Sequence, residues 1–369
     1  MVSRRWALFG IWAAALVSAV ALVPRPLAAD RPAPPIHRIV AVGDLHGDFA
    51  AWRAIATAAG LVDRQGRWAG GDTVLVQTGD VVDRGPDSLK IVQDLMRLQS
   101  EAPRAHGRVV ALVGNHEAMN ITDDLRYVSA GDFAAFANAG SETLRDQVYA
   151  ANRDAIEAAY HRRDPAMTGE AIRLAWLKAT PLGLIEHQKA WCPPGFIGRW
   201  VVRNPAVVML DGTLFVHGGI SPAYANLPIA EINRRVAETL AARATADDAI
   251  INDPAGPLWY RGLAARDEPA PTGPAAPAEP ASAPAAAPPP PPVEAQLDQL
   301  LAAYGAKRIV IGHTPILSGI AVEYGGRLVR IDTGISAVFG GKLTYLEIID
   351  GRLVPHQVER PAAGQGGGG

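Results

Sequence analysis

The sequence predicts an α/β fold in which two packed β-sheets are flanked by helices and carry one helical insertion. Five apolar runs of strand length each end in polar residues, and helical patterns lie between them. Continuous runs of valine, isoleucine and leucine are typical of strands buried on both faces of a sheet. The five runs are Arg38 to Asp44, Thr73 to Asp80, Arg108 to His116, Thr213 to His217 and Arg308 to His313.

The helices and turns follow from local signals. Residues 88–99 and the alanine-rich stretch 131–161 have helical patterns, and the helical insertion is expected from about 118 to 195. The pairs Asp-Gly at 211–212 and Gly-Gly at 325–326 stand between alternating runs, where they predict hairpin turns. Because α/β folds bind ligands at the carboxyl ends of their strands, the polar residues after the five runs are expected to share one site.

The N-terminal segment 1–29 is expected to be a signal peptide or a membrane anchor. Arg4 and Arg5 precede an uncharged run from Trp6 to Val23, and small residues follow near position 28. The run also lies at the short end of what can span a bilayer, so cleavage and anchoring both stay open. The protein is therefore predicted to be exported, either periplasmic or secreted, with attachment to the inner membrane as the alternative.

A second compositional break is a Pro/Ala-rich insertion at 264–296, which is predicted to be disordered. Residues 269–293 contain no aromatic side chain and cannot bury enough apolar surface to offset the entropy of ordering. The apolar run after Arg308 resembles the earlier runs, which favours an insertion within one domain, spanning 37–350, over a domain boundary. Residues 351–369 are expected to form a flexible tail. A partner that recognises polyproline II is an alternative use of the insertion.

Composition limits the class of function. The chain of 369 residues has a formal net charge of −2, so no basic surface indicates nucleic-acid binding. Cys192 is the only cysteine, so no intramolecular disulfide can form, and a nucleophilic role for it is not expected.

Metal-capable side chains collect at the ends of the five runs. Carboxylates, amide oxygens and imidazoles are ligands of hard and borderline divalent metals. Any one of these motifs alone could be a tight turn or the start of a helix. Repeated after five strands, they predict a pair of metal ions that share one bridging carboxylate. The candidate ligands are Asp44, His46, Asp80, Asn115, His217 and His313.

The ordered motifs also resemble a known family. GDLHGD, GDVVDRG, GNHE, FVHGG and IGHT resemble the signature of the phosphoprotein phosphatase family of binuclear metallophosphatases. NITDDLRYVS after GNHE, and GPLWYRG at 256–262, resemble the bacterial Shewanella-like phosphatases. The resemblance covers roughly residues 37 to 350 and implies a calcineurin-like domain, a metallophosphatase-type β-sandwich flanked by helices.

The resemblance implies two divalent metal ions, manganese first, with iron or zinc as alternatives. Asp80 would bridge them. The first ion would be held by Asp44 and His46. The second ion would be held by Asn115, His217 and His313.

The resemblance also implies how the phosphate is bound and cleaved. Arg84 and Arg261 would bind the phosphate together with Asn115, and a metal-bridging hydroxide would be the nucleophile, with no covalent phosphoenzyme. His116, oriented by Asp83, would protonate the leaving group. Alternatives stay open: Arg84 as a surface ion pair and Asp83 as a turn cap. Asp48 is interpreted as a turn residue or as a residue that supports the ligands from behind, and Glu117 as a helix-start residue that supports the loop.

The predicted function is metal-dependent hydrolysis of a phosphate monoester, carried by a phosphorylated protein (Ser/Thr or Tyr) or by a small molecule. Two alternatives are a phosphodiesterase or dinucleoside-polyphosphate hydrolase, and a phosphate-binding protein that has lost turnover. The aromatic side chains Tyr127, Trp259 and Tyr260 either stack on a phosphotyrosine ring or belong to the core.

Overall fold

The computed structural model describes residues 36–264 and 292–361, and within these ranges it has two five-stranded sheets packed face to face with helices outside them. The predicted α/β sandwich is confirmed. The predicted signal segment at 1–29 lies outside the described residues, as does most of the Pro/Ala-rich insertion. Among the described helices, none has the length and apolar character needed to cross a bilayer.

The first sheet contains the first three predicted strands side by side. β1, β2 and β3 run parallel, while β9 pairs antiparallel with β1 and β10 pairs antiparallel with β9. In spatial order its strands are β10 (Arg352–Val358), β9 (Leu343–Ile349), β1 (Arg38–Val42), β2 (Val74–Gln77) and β3 (Arg108–Ala111).

The second sheet contains the other two predicted strands. β5, β6 and β8 run parallel, and both expected hairpins are present, because β4 pairs antiparallel with β5 and β7 with β8. In spatial order its strands are β4 (Val207–Leu210), β5 (Thr213–Val216), β6 (Arg308–Ile311), β8 (Leu328–Arg330) and β7 (Ala321–Glu323).

Alternate side chains of the strands enter two different cores. Ile39 and Ala41 of β1 face the second sheet, where they join Phe215 in the layer between the sheets. Val40 and Val42 point the other way and pack with the flanking helices. Since both faces of these strands are buried, their sequences are continuously apolar. The loops after the parallel strands are thereby anchored on a rigid double layer.

Helices cover both outer faces and form the predicted insertion. The insertion has a small apolar core of its own, built by Tyr149, Ile156, Ile172 and Trp176. In chain order the described helices are α1 (Phe49–Ala58), α2 (Ser88–Glu101), α3 (Asn115–Ile121), α4 (Ala130–Phe136), α5 (Ser141–Ala151), α6 (Arg153–His161), α7 (Gly169–Ala179), α8 (Leu184–Trp191), α9 (Phe196–Arg203), α10 (Ile229–Ala241) and α11 (Val293–Tyr304).

Two predicted boundaries differ from the structure. The predicted insertion spans 264–296, but α11 begins at Val293 and buries Gln296, so residues 293–296 belong to the folded domain. The tail was placed at 351–369, but residues 352–358 form β10, which pairs along its whole length with β9. β10 escaped prediction because its side chains are mostly exposed or half-buried, so no apolar run marks it.

Candidate metal centre

The candidate site lies where the loops after β1, β2, β3, β5 and β6 meet. These loops are tied by backbone hydrogen bonds: the N–H groups of Leu45 and His46 both donate to the carbonyl of Asp80 at 3.0 Å, and Gly312 N–H donates to the carbonyl of His217 at 2.8 Å. All six predicted ligands are buried. Residues from five separate segments of the chain are therefore brought into one site, as the sequence predicts.

Several of these loop residues have left-handed backbone conformations. φ is 41° at His46, 53° at Asp80, 70° at both Asp83 and Arg84, and 67° at His313. Residues other than glycine rarely adopt positive φ, and such conformations cost free energy that the surrounding structure must supply. The number of such residues here indicates that the required positions of the side chains, and not the preferred backbone conformation, determine the loop geometry.

His217 presents a ring lone pair toward other ligand atoms. Its Nδ1 lies 2.9 Å from the Thr78 carbonyl oxygen, and because a carbonyl only accepts, Nδ1 carries the hydrogen. Its Nε2 lies 2.9 Å from Asn115 Oδ1, 3.1 Å from His313 Nδ1 and 3.3 Å from Asp80 Oδ2. If His313 Nδ1 carried a hydrogen, it could donate to His217 Nε2. The oxygens of Asn115 and Asp80 would still face the lone pair of His217 Nε2 with no hydrogen between them. A divalent cation among these four atoms would satisfy all of them.

His46 is held in the same tautomer. Its Nδ1 lies 3.0 Å from the carbonyl oxygen of Val82, so its Nε2 carries the lone pair, 3.8 Å from Asp80 Oδ2. Burial and the neighbouring His116 ring lower the pKa of His46 to about 3. The imidazole is therefore neutral at physiological pH, which is the form that binds metals.

Asp80 is the carboxylate on which the imidazoles converge. Its Oδ2 lies 3.3 Å from His217 Nε2, 3.8 Å from His46 Nε2 and 3.9 Å from His116 Nε2. Although burial opposes ionisation, His217 and His116 hold the pKa of Asp80 well below its ordinary value. A charged carboxylate at this centre fits the bridging role expected of Asp80.

Two groups of ligand atoms each lie within 4.8 Å of one another, and Asp80 belongs to both. The groups are His46, Asp80 and His116, and Asp80, His217 and His313. Asp44 is in neither group: its two oxygens accept from the His313 N–H at 3.0 and 3.2 Å. Burial and the charges of Asp332 and Asp80 raise the pKa of Asp44 well above its ordinary value. Asp44, Asp80 and Asp332 are all buried and their charges act on one another, so nearby positive charge would stabilise their ionised forms. The donor set therefore fits two divalent cations.

His116 forms a buried pair with Asp83. His116 Nδ1 lies 2.6 Å from Asp83 Oδ2, and the other Asp83 oxygen accepts from Asn120 Nδ2 at 2.9 Å. Asn120 Nδ2 also donates to the His116 carbonyl at 2.9 Å. Although burial disfavours the imidazolium, the charges of Asp80 and Asp83 hold the pKa of His116 above its ordinary value. The arrangement can keep a proton on His116 Nε2 in reach of the site.

Arg84 lies half-buried at the mouth of the site. Its Cζ is 3.9 Å from the centre of the Tyr127 ring, and that ring is in turn 5.1 Å from the ring of His116. Within the described residues no carboxylate pairs with Arg84, and its buried Nε has no hydrogen-bond partner. A guanidinium held by an aromatic face keeps its donors available for an anion. Tyr127 thus lines the site and is not solely a core residue.

Arg261 lies on the opposite side, against the loop that carries His313. Its Nη1 donates to the His313 carbonyl at 3.0 Å and to Thr314 Oγ1 at 3.1 Å. Burial and the charge of Arg261 lower the pKa of His313 well below its ordinary value, so that imidazole is neutral as well. The Trp259 ring is 5.8 Å from the His313 ring, whereas the hydroxyl of Tyr260 donates to α11. Arg261 and Trp259 therefore border the site.

A protein-family model agrees with this geometry. The model of the calcineurin-like phosphoesterases matches residues 37–317, which contain every predicted ligand. The chain belongs to the calcineurin-like phosphoesterase family. The metallophosphoesterase nature of the site, expected from the ordered motifs, is confirmed.

Relatives of this phosphoesterase include proteins of the expected subgroup. An uncharacterised protein of Schizosaccharomyces pombe is 30% identical over 84% of this chain and 76% of its own length. Shewanella-like protein phosphatase 2 of Arabidopsis thaliana is 34% identical over 54% of this chain, and the match spans half of that relative. The crystal structure of a cold-active protein-tyrosine phosphatase from a psychrophilic Shewanella species has a TM-score of 0.59, at 22% identity, covering 88% of this chain and 81% of that one. The resemblance to Shewanella-like phosphatases is confirmed.

Three residues of the phosphoesterase site have no role predicted from the sequence. Asn120, which begins the NITDDLRYVS motif, stands one helical turn after His116. Burial raises the pKa of Asp332 to about 6, and its charge acts on Asp44, yet no motif marks it. The Phe339 ring lies 5.1 Å from the ring of His46, although 293 residues separate them in sequence (339 − 46).

Glu117 supports the loops, as the sequence suggests. Its carboxylate accepts from the backbone N–H groups of Asp80 and Val81 at 2.9 Å and of Gly114 at 2.8 Å. These bonds join the loops after β2 and β3. Burial and the charge of Asp80 raise the pKa of Glu117 to about 7.

Proposed function

We propose that this phosphoesterase hydrolyses phosphate monoesters, on phosphorylated proteins or on small molecules, with two divalent cations. One observation carries the proposal: the ring lone pairs of His46 and His217 converge on the charged Asp80, the amide oxygen of Asn115 lies 2.9 Å from His217 Nε2, and the His116–Asp83 pair stands beside them. The Arabidopsis relative is named a protein phosphatase, which supports a phosphorylated protein as substrate.

Manganese is the proposed metal, with iron and zinc as alternatives, because all three accept carboxylate, amide and imidazole ligands. When bound, the two cations would polarise the phosphoryl oxygens and lower the pKa of water so that a nucleophile exists at neutral pH. His46, Asp80 and the neighbouring Asp44 would hold the first. The residues for the second are Asp80, Asn115, His217 and His313.

The side chains around the ligands would bind and orient the ester. Arg84 offers an unpartnered Nε and a guanidinium fork whose geometry matches phosphate oxygens, and Arg261 and Asn115 would contribute from the other side. His116 would donate the proton on Nε2 to the leaving oxygen. Asp83 holds the opposite ring nitrogen at 2.6 Å and so fixes the direction in which that proton points.

We propose further that the protein is exported through residues 1–29. The support is the arginine pair followed by an uncharged run, which suits a signal peptide or an inner-membrane anchor. N-terminal sequencing of the protein recovered from periplasm and membrane fractions tests this: cleavage near position 28 supports a signal peptide, and an intact N-terminus in the membrane fraction supports an anchor.

The proposed activity is tested with purified protein reconstituted separately with manganese, iron or zinc. Peptides carrying phosphotyrosine, phosphoserine or phosphothreonine are compared with nucleotides, sugar phosphates and a dinucleoside polyphosphate. Release of inorganic phosphate from monoesters, together with about two metal ions per chain, is the expected result. Cleavage of the dinucleoside polyphosphate alone would instead establish the phosphodiesterase-like alternative, and phosphate binding without turnover would establish a binding protein.

A further inference from the structure

The 335–341 loop, which follows β8, places an aromatic ring on the proposed phosphate site. The Phe339 ring lies 5.1 Å from the His46 ring, and the Cζ of Arg84 lies 5.8 Å from the centre of the same Phe339 ring. Phe339 therefore lies against one proposed metal ligand and, like Tyr127, places an aromatic ring beside the proposed phosphate-binding arginine. Any displacement of this loop would move the Phe339 ring away from Arg84.

An arginine near the C-terminal end of the described chain ties the two ends of this loop, in addition to the backbone bond from Gly341 N–H to the Gly334 carbonyl at 3.0 Å. Arg360 lies two residues after β10, and its Nη2 donates to the carbonyl of Ile335 at 2.5 Å and to the carbonyl of Gly341 at 3.3 Å. These carbonyls stand at the two ends of the 335–341 loop. One guanidinium nitrogen thus bridges both ends.

The same guanidinium attaches the loop to helix α1 through Asp48. Arg360 Nη1 donates to Asp48 Oδ2 at 3.0 Å, and that oxygen also accepts from the backbone N–H of Ala337 at 2.9 Å. The other oxygen of Asp48 accepts from Ala51 N–H at 2.9 Å and so caps α1. The loop is consequently held at its ends by Arg360 and at its middle by Asp48.

We propose that Arg360 is a positioning residue for the phosphate site, which it serves by holding the 335–341 loop so that Phe339 stays against Arg84 and His46. The inference rests on the proposed function, because it takes Arg84 as a phosphate-binding group. A planar fork with several donors can serve the two carbonyls and the carboxylate together, which a lysine ammonium on a flexible stem cannot do in the same geometry. The segment after β9 therefore positions the loop that carries Phe339.

The test uses full-length, metal-loaded protein and the variant Arg360→Ala. Loss of one cation–π wall at a half-exposed arginine corresponds to about a two- to fivefold rise in KM for a phosphate monoester, with kcat within about twofold. Amide hydrogen exchange should also become faster across residues 335–341, including the Ala337 N–H that Asp48 binds. The control is Arg352→Ala, which removes an exposed arginine at the other end of β10 and should change neither quantity.

A double variant identifies the route by which Arg360 acts. If Arg360 acts through Phe339, then adding R360A to Phe339→Ala should raise KM no further. R360K, which keeps the charge but not the fork, should resemble R360A and serves if the alanine variant folds poorly. Wild-type KM and wild-type exchange in R360A would overturn the inference, as would an undiminished KM rise in the Phe339→Ala background. If the wild type hydrolyses no monoester, the proposed function fails, and the exchange comparison alone decides whether Arg360 holds the loop.

Discussion

Replacement of His116 by asparagine is the sharpest test of the chemistry proposed for this site. The side chain is buried, with Nδ1 held by Asp83 at 2.6 Å and Nε2 directed toward Asp80. Asparagine is smaller, places no titratable group there, and leaves the backbone N–H free to keep its 3.0 Å bond to Asp80 Oδ1. The substitution should therefore remove the proton donor while the proposed ligands stay in place.

The expected loss depends on the leaving group. A positioned general acid contributes about 10²- to 10⁴-fold when the departing alcohol is a poor leaving group. A nitrophenolate needs almost no protonation, so for nitrophenyl phosphate the loss should shrink to within about tenfold. Most of the loss should appear in kcat, because the proton moves in the transition state and not on binding.

Asp83→Asn should cause a smaller loss of turnover, and two hydrogen bonds of Asp83 set its size. Asp83 accepts from His116 Nδ1 and from Asn120 Nδ2. An asparagine side chain has only one accepting oxygen, so its NH2 group would face one of these two donors and that hydrogen bond would be lost. A hydrogen bond to a charged group contributes about 1.5–3 kcal/mol, which corresponds to about 10- to 150-fold. The turnover of alkyl phosphates should decrease by a factor within that range.

The assay is a series of kcat/KM values for phosphate monoesters from nitrophenyl to simple alkyl leaving groups. The wild type and His116→Asn are compared, with His106→Asn as the control, because His106 is exposed and its φ of 64° is one that asparagine tolerates. Plots of rate against leaving-group acidity should diverge steeply between wild type and H116N. Parallel plots would remove His116 from the role of general acid.

Three further outcomes are expected. Asp80→Asn should lower turnover by at least about 100-fold and reduce bound metal measured by elemental analysis, and near-wild-type activity would contradict the shared-carboxylate site. Gly312→Ala should lower stability by about 1–3 kcal/mol in thermal unfolding and weaken metal binding, because its Cβ would lie 2.4 Å from Asp44 Oδ1; Gly169→Ala, with contacts no closer than 3.5 Å, is the control. Replacing residues 269–291 by a short Gly/Ser link, which keeps the start of α11, should preserve folding, metal content and hydrolysis of a small ester, since loop length itself costs little. If only phosphoprotein turnover changes, the segment controls substrate access, and loss of metal would show that it belongs to the domain.

The sequence by itself determined the strands of the site and the residues that follow them. Runs such as Ile39 to Val42 are apolar on both faces because each face enters a core, and that is a property of the local sequence. The runs that end at Asp44, Asp80, His116, His217 and His313 are predicted as strands for this reason. Their convergence followed from a general property of parallel strands, whose carboxyl ends meet at one edge.

Only the tertiary structure decided how the other wall of the site is built. Phe339 reaches His46, and Arg360 reaches Asp48, across about 300 residues of chain, so no local pattern records either contact. The contact between Asp83 and Asn120 likewise depends on the loop after β2 meeting helix α3. β10 shows the same limit, because its pairing with β9 relies on backbone hydrogen bonds, which leave no side-chain pattern in the sequence.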